Sequence, residues 1–292
     1  RARFRNEATQ VRLDLNAKND KKLIAWIPVN NPDFNALPNG VFDSEVFSMW
    51  SYVTHWGDWT APLGRIPAAF LDIAHKNGVG VSGVASIPNA TLSGSWFECL
   101  KGIGSMDVDK ASKFLQYYGI DGLGYNSEFY NGNSVVKGVR TFHAALVKKM
   151  KPVNPVFENF WYDGTNDFGQ VTFDGGLGNH NKETFGDKDN VRTSLFFNYN
   201  WNRGQIPSSV AYAEQLGRDP LDIYCGVNMQ GGQPGGTSWS LLPDQRVSIG
   251  LWGAHSYNMF WESRAELGSS DEMKQFAYLR RTECYFGGGN RN

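Results

Sequence analysis

The stretch at 121–128 reads Asp-Gly-Leu-Gly-Tyr-Asn-Ser-Glu, with Phe129 after it. It follows a helix-like segment, Val108 to Tyr118, and has the pattern of a buried strand that ends in polar side chains. Side chains alternate across a strand, so Gly122, Gly124, Asn126 and Glu128 share one face, and Leu123, Tyr125 and Ser127 the other. A strand that delivers an amide and a carboxylate side by side at its C-terminal end suits a β/α barrel, which gathers its chemistry there. The competing local reading makes Asn126 and Glu128 loop-entry residues that cap the next helix.

Working outward, apolar runs alternate with helix-like runs along most of the chain. Strands are expected at Lys22 to Val29, Ser51 to Trp59, Val79 to Ser86, Asp121 to Phe129, Pro155 to Trp161, Ser194 to Trp201 and Asp222 to Gln230. Val247 to Gly250 leads into a last one at Ala254 to Trp261. Helices are expected at Pro67 to Asn77, Val108 to Tyr118, Val135 to Met150 and Ser208 to Leu216. Near-continuous apolar strands are what a parallel sheet buried on both faces requires. Eight of them predict an α/β fold, a (β/α)8 TIM barrel, over 21–292. A doubly wound open sheet fits less well, because Pro28 and Val29 stand where its Gly-rich phosphate loop belongs. Residues 1–20 are polar and read as an arm or linker. Residues 265–292 form a last helix or lead toward a further domain.

The bulk numbers narrow the function. The chain has 292 residues, enough for a large core, with 28 Lys plus Arg against 29 Asp plus Glu. That balance gives no footprint for nucleic acid or acidic lipid. No apolar run approaches the roughly 18 residues of a membrane span, so no membrane insertion is expected. Three cysteines, Cys99, Cys225 and Cys284, and five scattered histidines show no metal-ligand or disulfide spacing. No metal and no cofactor is expected. Ten tryptophans lean toward a carbohydrate ligand, since an indole face fits the apolar face of a sugar ring.

The polar and aromatic strand ends converge on one face in such a barrel. They are Trp50 to Trp59, Asn126 with Glu128, Trp161-Tyr162-Asp163, Asn198-Tyr199-Asn200-Trp201, Asn228 with Gln230, and Tyr257 to Glu262. Stacking there supplies affinity and amides supply orientation for a neutral, hydroxyl-rich ligand. Most glycosidases use two carboxylates. A lone carboxylate beside an amide makes sense when the substrate brings its own nucleophile, as a 2-acetamido sugar can. Glu128 would then be the acid and base, and Asn126 would hold the acetamido group. The substrate-binding candidates are Trp201, Trp161, Asp163, Asn198, Trp261, Trp56 and Asn228. His75 reads as a surface helix residue.

These residues resemble glycoside hydrolase family 85. Asp121-Gly122…Asn126-x-Glu128 is similar to that family's DG…NxE strand, and Trp161-Tyr162-Asp163 to its WYD segment. Phe197-Asn-Tyr-Asn-Trp201, Trp56-Gly-Asp-Trp59 and Ala74-His-Lys-Asn-Gly-Val79 also fit, from about Trp50 to Trp261. The resemblance implies an endo-β-N-acetylglucosaminidase that cuts between the two core GlcNAc residues of an N-glycan or glycoprotein, with retention through an oxazoline. It implies Glu128 and Asn126 in the roles above and Tyr162 as a third catalytic group. Three departures are Gly124-Tyr125, where the family usually carries apolar residues, Gly164, where Ser is common, and the composition of the Gly164 to Asn190 loop. The alternatives are a chitinase-like hydrolase of GlcNAc polymers, which normally carries Asp at the position of Asn126, and a non-catalytic carbohydrate-binding barrel. The chain starts Arg-Ala-Arg-Phe, so a processed product is expected, secreted or at a bacterial surface or in the periplasm, with the cytoplasm as the alternative. Oligomeric state is not legible.

Overall fold

A computed structural model of the chain describes residues 21–27, 47, 49–62, 66, 68–86, 107–128, 133–229, 239–253, 270, 272–273 and 286. The expected arm at 1–20, the strand expected at 254–261 and Trp261 lie outside these residues. Eight strands are present: β1 Leu23–Ile27, β2 His55–Pro62, β3 Gly80–Ser86, β4 Gly122–Tyr125, β5 Glu158–Tyr162, β6 Ser194–Phe197, β7 Ile223–Asn228 and β8 Ser248–Trp252. Each pairs in parallel with the next, and β8 pairs with β1, which closes the barrel. Between them run α1 Ala68–Lys76, α2 Val108–Tyr118, α3 Asn133–Met150, α4 Lys182–Phe185 and α5 Gln205–Gln215.

Local sequence sets the helix ends. The Asp107 carboxylate accepts from the backbone N–H groups of Asp109 and Lys110, a cap worth about 1 kcal/mol to α2. Gly119 ends that helix at φ 73°, where a Cβ would be strained. Ala111 and Leu115 supply the buried stripe of α2.

Two boundaries differ from the sequence reading. β4 stops at Tyr125, so Asn126 to Glu128 leave the ladder and rise above the barrel rim. The closing strand is Ser248–Trp252, because Leu23 to Trp26 pair in register with Ile249 to Trp252. The apolar run at Ser248 to Trp252 meets β1 directly, and the Gly253 N–H donates to the Trp26 carbonyl.

Strand parity divides the core in two. Outward residues such as Leu23, Ala25, Leu123, Tyr125, Trp161, Leu195, Ile249 and Leu251 pack under the helices. Inward residues Ile24, Trp26, Val84, Phe160, Tyr162, Phe196 and Tyr224 fill the barrel. Large rings and glycines interlock there. A Cβ on Gly57 or Gly124 would run into the Trp26 indole, and one on Gly226 or Gly250 would meet the Phe196 ring. Gly124 therefore stands where it does because an indole from β1 occupies the space of its side chain.

The barrel floor is charged. Glu158 accepts from Lys22 Nζ at 2.7 Å, Ser194 Oγ at 2.7 Å and the Tyr224 hydroxyl at 3.0 Å. Lys22 also meets Asp222 at 2.9 Å, and Asp222 accepts from Arg218 at 2.7 Å. Outside the barrel, His75 is buried, with Nε2 2.8 Å from Asp121 Oδ2, and Asp121 also accepts from Val81 N–H and Asn154. The surface placement expected for His75 is thus corrected: it ties α1 to the root of β4.

Candidate active site

At the C-terminal rim the inward parity continues. Trp26, Trp59, Asn126, Glu128, Tyr162, Phe196, Tyr199 and Trp252 line a cleft of about 180 Å3. Trp26 and Trp252 are side by side because β1 and β8 pair there. Trp59 meets Trp26 edge-on with ring centres 5.1 Å apart, and meets Trp252 at 5.0 Å. The result is an aromatic wall opposite the polar pair.

Among the described residues lining the cleft, Glu128 is the one acidic group. Burial pushes its carboxyl above the usual range, and the hydrogen bond from Asn126 opposes this. Asn126 Nδ2 donates to Glu128 Oε2 at 3.4 Å, and the Glu128 N–H donates to the Asn126 carbonyl at 2.9 Å. A carboxyl raised in this way can hold a proton nearer neutral pH, which a general acid needs.

The Tyr162 hydroxyl donates to Asn198 Oδ1 at 2.8 Å. Burial, then the charges of Glu128 and Asp163, push the phenol well above its ordinary value, so it stays a neutral donor. Tyr199 is raised mainly by burial as well. Asn198 reaches the site through Tyr162. Asn228 stands at the same rim, level with Trp252 in the strand register.

The structure leaves several expected residues out of the cleft. Trp161 faces outward from β5, packed against Tyr125 and His143, with Nε1 donating to the Thr165 carbonyl at 3.0 Å. Trp56 faces outward from β2 and stacks on Phe70 with ring centres 4.6 Å apart. Trp201 is buried, with its indole N–H on the Gly226 carbonyl at 2.8 Å. None of these three can offer a ring to a ligand in this cleft. Asp163 is buried too: it accepts from the Gly175 N–H at 2.7 Å and Asn181 at 3.1 Å, which fixes the loop after β5. Burial pushes its carboxyl up to about 8, against those two donors.

The cleft is also lined by Trp26, Phe196 and Trp252, which the sequence candidates did not include, and by Tyr199, which stood among the converging strand ends. Parity along β6 would have found Phe196, in step with Asn198. Trp26 and Trp252 needed the β1–β8 closure. Among the described residues no three His, Cys, Asp or Glu side chains group to hold a metal ion. No helix among them is long and apolar enough to cross a membrane.

A comparison with a solved structure agrees with the fold. The glycoside hydrolase domain of Spr0440, Endo-D, from Streptococcus pneumoniae R6 superposes with a TM-score of 0.68 at 22% identity. That alignment covers 95% of this chain and 44% of the other, so the chain spans less than half of that structure. More distant matches are the spore cortex-lytic enzyme SleL of Bacillus megaterium QM B1551 (TM-score 0.46, 13% identity, 74% of this chain and 52% of the other). The GH18 chitinase ChiB of Flavobacterium johnsoniae gives 0.47 at 10% identity, over 90% and 96%. No curated protein matches by sequence. The sequence profile of glycosyl hydrolase family 85 matches residues 30–288, and the chain belongs to that family of glycoside hydrolases.

Proposed function

We propose that the protein is an endo-β-N-acetylglucosaminidase that hydrolyses the β-1,4 bond between the two core GlcNAc residues of N-linked glycans. The observation that carries this is a lone, raised carboxylate beside an amide in an aromatic cleft. Among the described lining residues there is no second carboxylate to act as nucleophile, which supports a nucleophile supplied by the substrate.

In the first step the 2-acetamido carbonyl oxygen attacks C1. The bond from C1 to the leaving oxygen breaks, and Glu128 gives that oxygen its proton. Asn126 holds the acetamido group and stabilises its developing imidate-like charge, a preorganised dipole worth about 3 kcal/mol at such sites. In the second step water attacks C1 of the oxazoline, Glu128 takes the water proton, and the acetamido group is released. Two inversions at C1 give net retention. Tyr162, whose proton is held on Asn198, offers its phenol oxygen as a fixed acceptor to a hydroxyl or N–H of the reacting sugar, and Trp59 and Trp252 present apolar ring surface to it.

The test is mass spectrometry of a high-mannose glycoprotein after incubation with the protein. One GlcNAc left on each glycosylated Asn, with the other at the end of the released glycan, is the expected result. Release from a chitin oligomer and none from high-mannose or complex glycoproteins would replace this function with a chitinase-like one.

A further inference from the structure

Ser127 separates Asn126 from Glu128 and points the other way, into the wall between β4 and β5. It is fully buried, and its hydroxyl donates to the Tyr162 carbonyl. Its own carbonyl accepts two hydrogen bonds from one residue: the Thr165 N–H at 2.7 Å and Thr165 Oγ1 at 2.8 Å. Thr165 is buried as well, and its carbonyl receives the Trp161 indole N–H. Gly164 lies against the same Ser127 carbonyl, and a Cβ there would run into that oxygen.

This arrangement answers a question the cleft raises. Asn126 and Glu128 sit beyond the end of β4. Their side chains hold each other across 3.4 Å, a weak restraint. Placement to within about half an ångström therefore has to come through the backbone. Ser127 is the shared backbone neighbour of both, and it is held on two sides.

We propose that Thr165 is a positioning residue for Asn126 and Glu128, acting through the Ser127 carbonyl that it grips with both its N–H and its hydroxyl. The inference rests on Asn126 and Glu128 being the reacting pair. It also gives the outward Trp161 a role, as the bond that seats Thr165.

The test compares Thr165→Val, which keeps the shape and loses the hydroxyl, with Thr165→Ser, which keeps the hydroxyl. A high-mannose glycopeptide gives kcat and KM. Carboxyl-13C glutamate NMR, with Glu128→Gln to identify the Glu128 signal, gives its titration where it faces Asn126, Tyr162 and Tyr199. Thr165→Val is expected to lower kcat about tenfold with KM within about twofold, since misplacement of catalytic groups acts on the reacting geometry. Its Glu128 titration moves down toward the ordinary carboxylate range, while Thr165→Ser matches wild type in both readouts. Gly164→Ala, a wedge against the Ser127 carbonyl, lowers kcat about 100-fold if it folds.

Wild-type kcat together with a wild-type Glu128 titration in Thr165→Val overturns the proposal. Equal losses in the Val and Ser variants, with a lowered melting temperature, overturn it in favour of a purely structural threonine. If wild type releases nothing from the glycopeptide, the N-glycan function fails, and the titration arm alone decides for or against the positioning role.

Discussion

Glu158 on the barrel floor and Glu128 at the rim are the same residue type in one closed barrel, and their environments drive them apart. Burial would raise both carboxyls. At Glu158, Lys22 and then His55 reverse that effect, and the group sits below its ordinary range with Ser194 and Tyr224 on its second oxygen. At Glu128 the only opposing contribution comes from Asn126, and the group stays raised. Burying a carboxylate with cations and donors makes a structural plug, and partly burying one beside a neutral amide makes a proton carrier. On the proposed function, the two ends of the barrel divide stability from chemistry.

The sharpest way to break the comparison is to neutralise each carboxylate in turn. Glu128→Gln should lower glycan release about 1000-fold, in the range for loss of a general acid, with little change in melting temperature. Hydrolysis persisting at a tenth of wild type would remove Glu128 from the acid role. Glu158→Gln should do the opposite. It leaves Lys22 short of a charge partner and costs roughly 3 kcal/mol, or about 5 °C in melting temperature, while the folded enzyme keeps its kcat. Calorimetry and initial rates on one preparation measure both.

Asn126→Ala sharpens the rim side. Hydrolysis of an intact glycan should fall about 100-fold, because the acetamido group is no longer held. The variant should still accept a preformed glycan oxazoline, and its Glu128 titration should move further up, since the Asn126 hydrogen bond is what lowers it. A folded variant that rejects the oxazoline would make Asn126 structural.

The smallest effect per pH unit is in stability, at most about 1.4 kcal/mol for each group. Asp222, which Lys22 and Arg218 hold down to about 2 against burial, and Glu158 are depressed in the fold. Their contribution is present above about pH 4 and is lost as pH falls through the folded values. Asp163 is raised to about 8, so its contribution has the other sign: it is present below about pH 4 and lost as pH rises toward 8. Melting temperature should therefore peak in mild acid, and Asp163→Asn should flatten the decline on the alkaline side. A flat profile in the wild type would sink this account.

Much of this was legible in the chain. The β/α alternation, α2 from Val108 to Tyr118 and the inward pair at Asn126 and Glu128 all follow from local pattern. Misplacement of Trp161 and Trp56 has a specific cause. Nearness to a strand end picks out both, whereas period two puts Glu158, Phe160 and Tyr162 on one face of β5 and Trp161 on the other. The same rule puts Trp59 inside and Trp56 outside. Nothing local could place His75, whose partner Asp121 lies 46 residues away. Nor could local pattern seat Trp26 beside Trp252, which requires the first and last strands to meet.

The interlock of Trp26 with Gly57 and Gly124 has an evolutionary consequence. Three positions on three different strands share one volume, so they behave as a single heritable character. Drift at either glycine is blocked while the indole is present. A smaller ring at 26 would release both glycines at once and reshape the floor of the cleft beneath Asn126. Diversification of the ligand site among descendants of this chain would therefore begin at Trp26 and only afterwards reach the glycines.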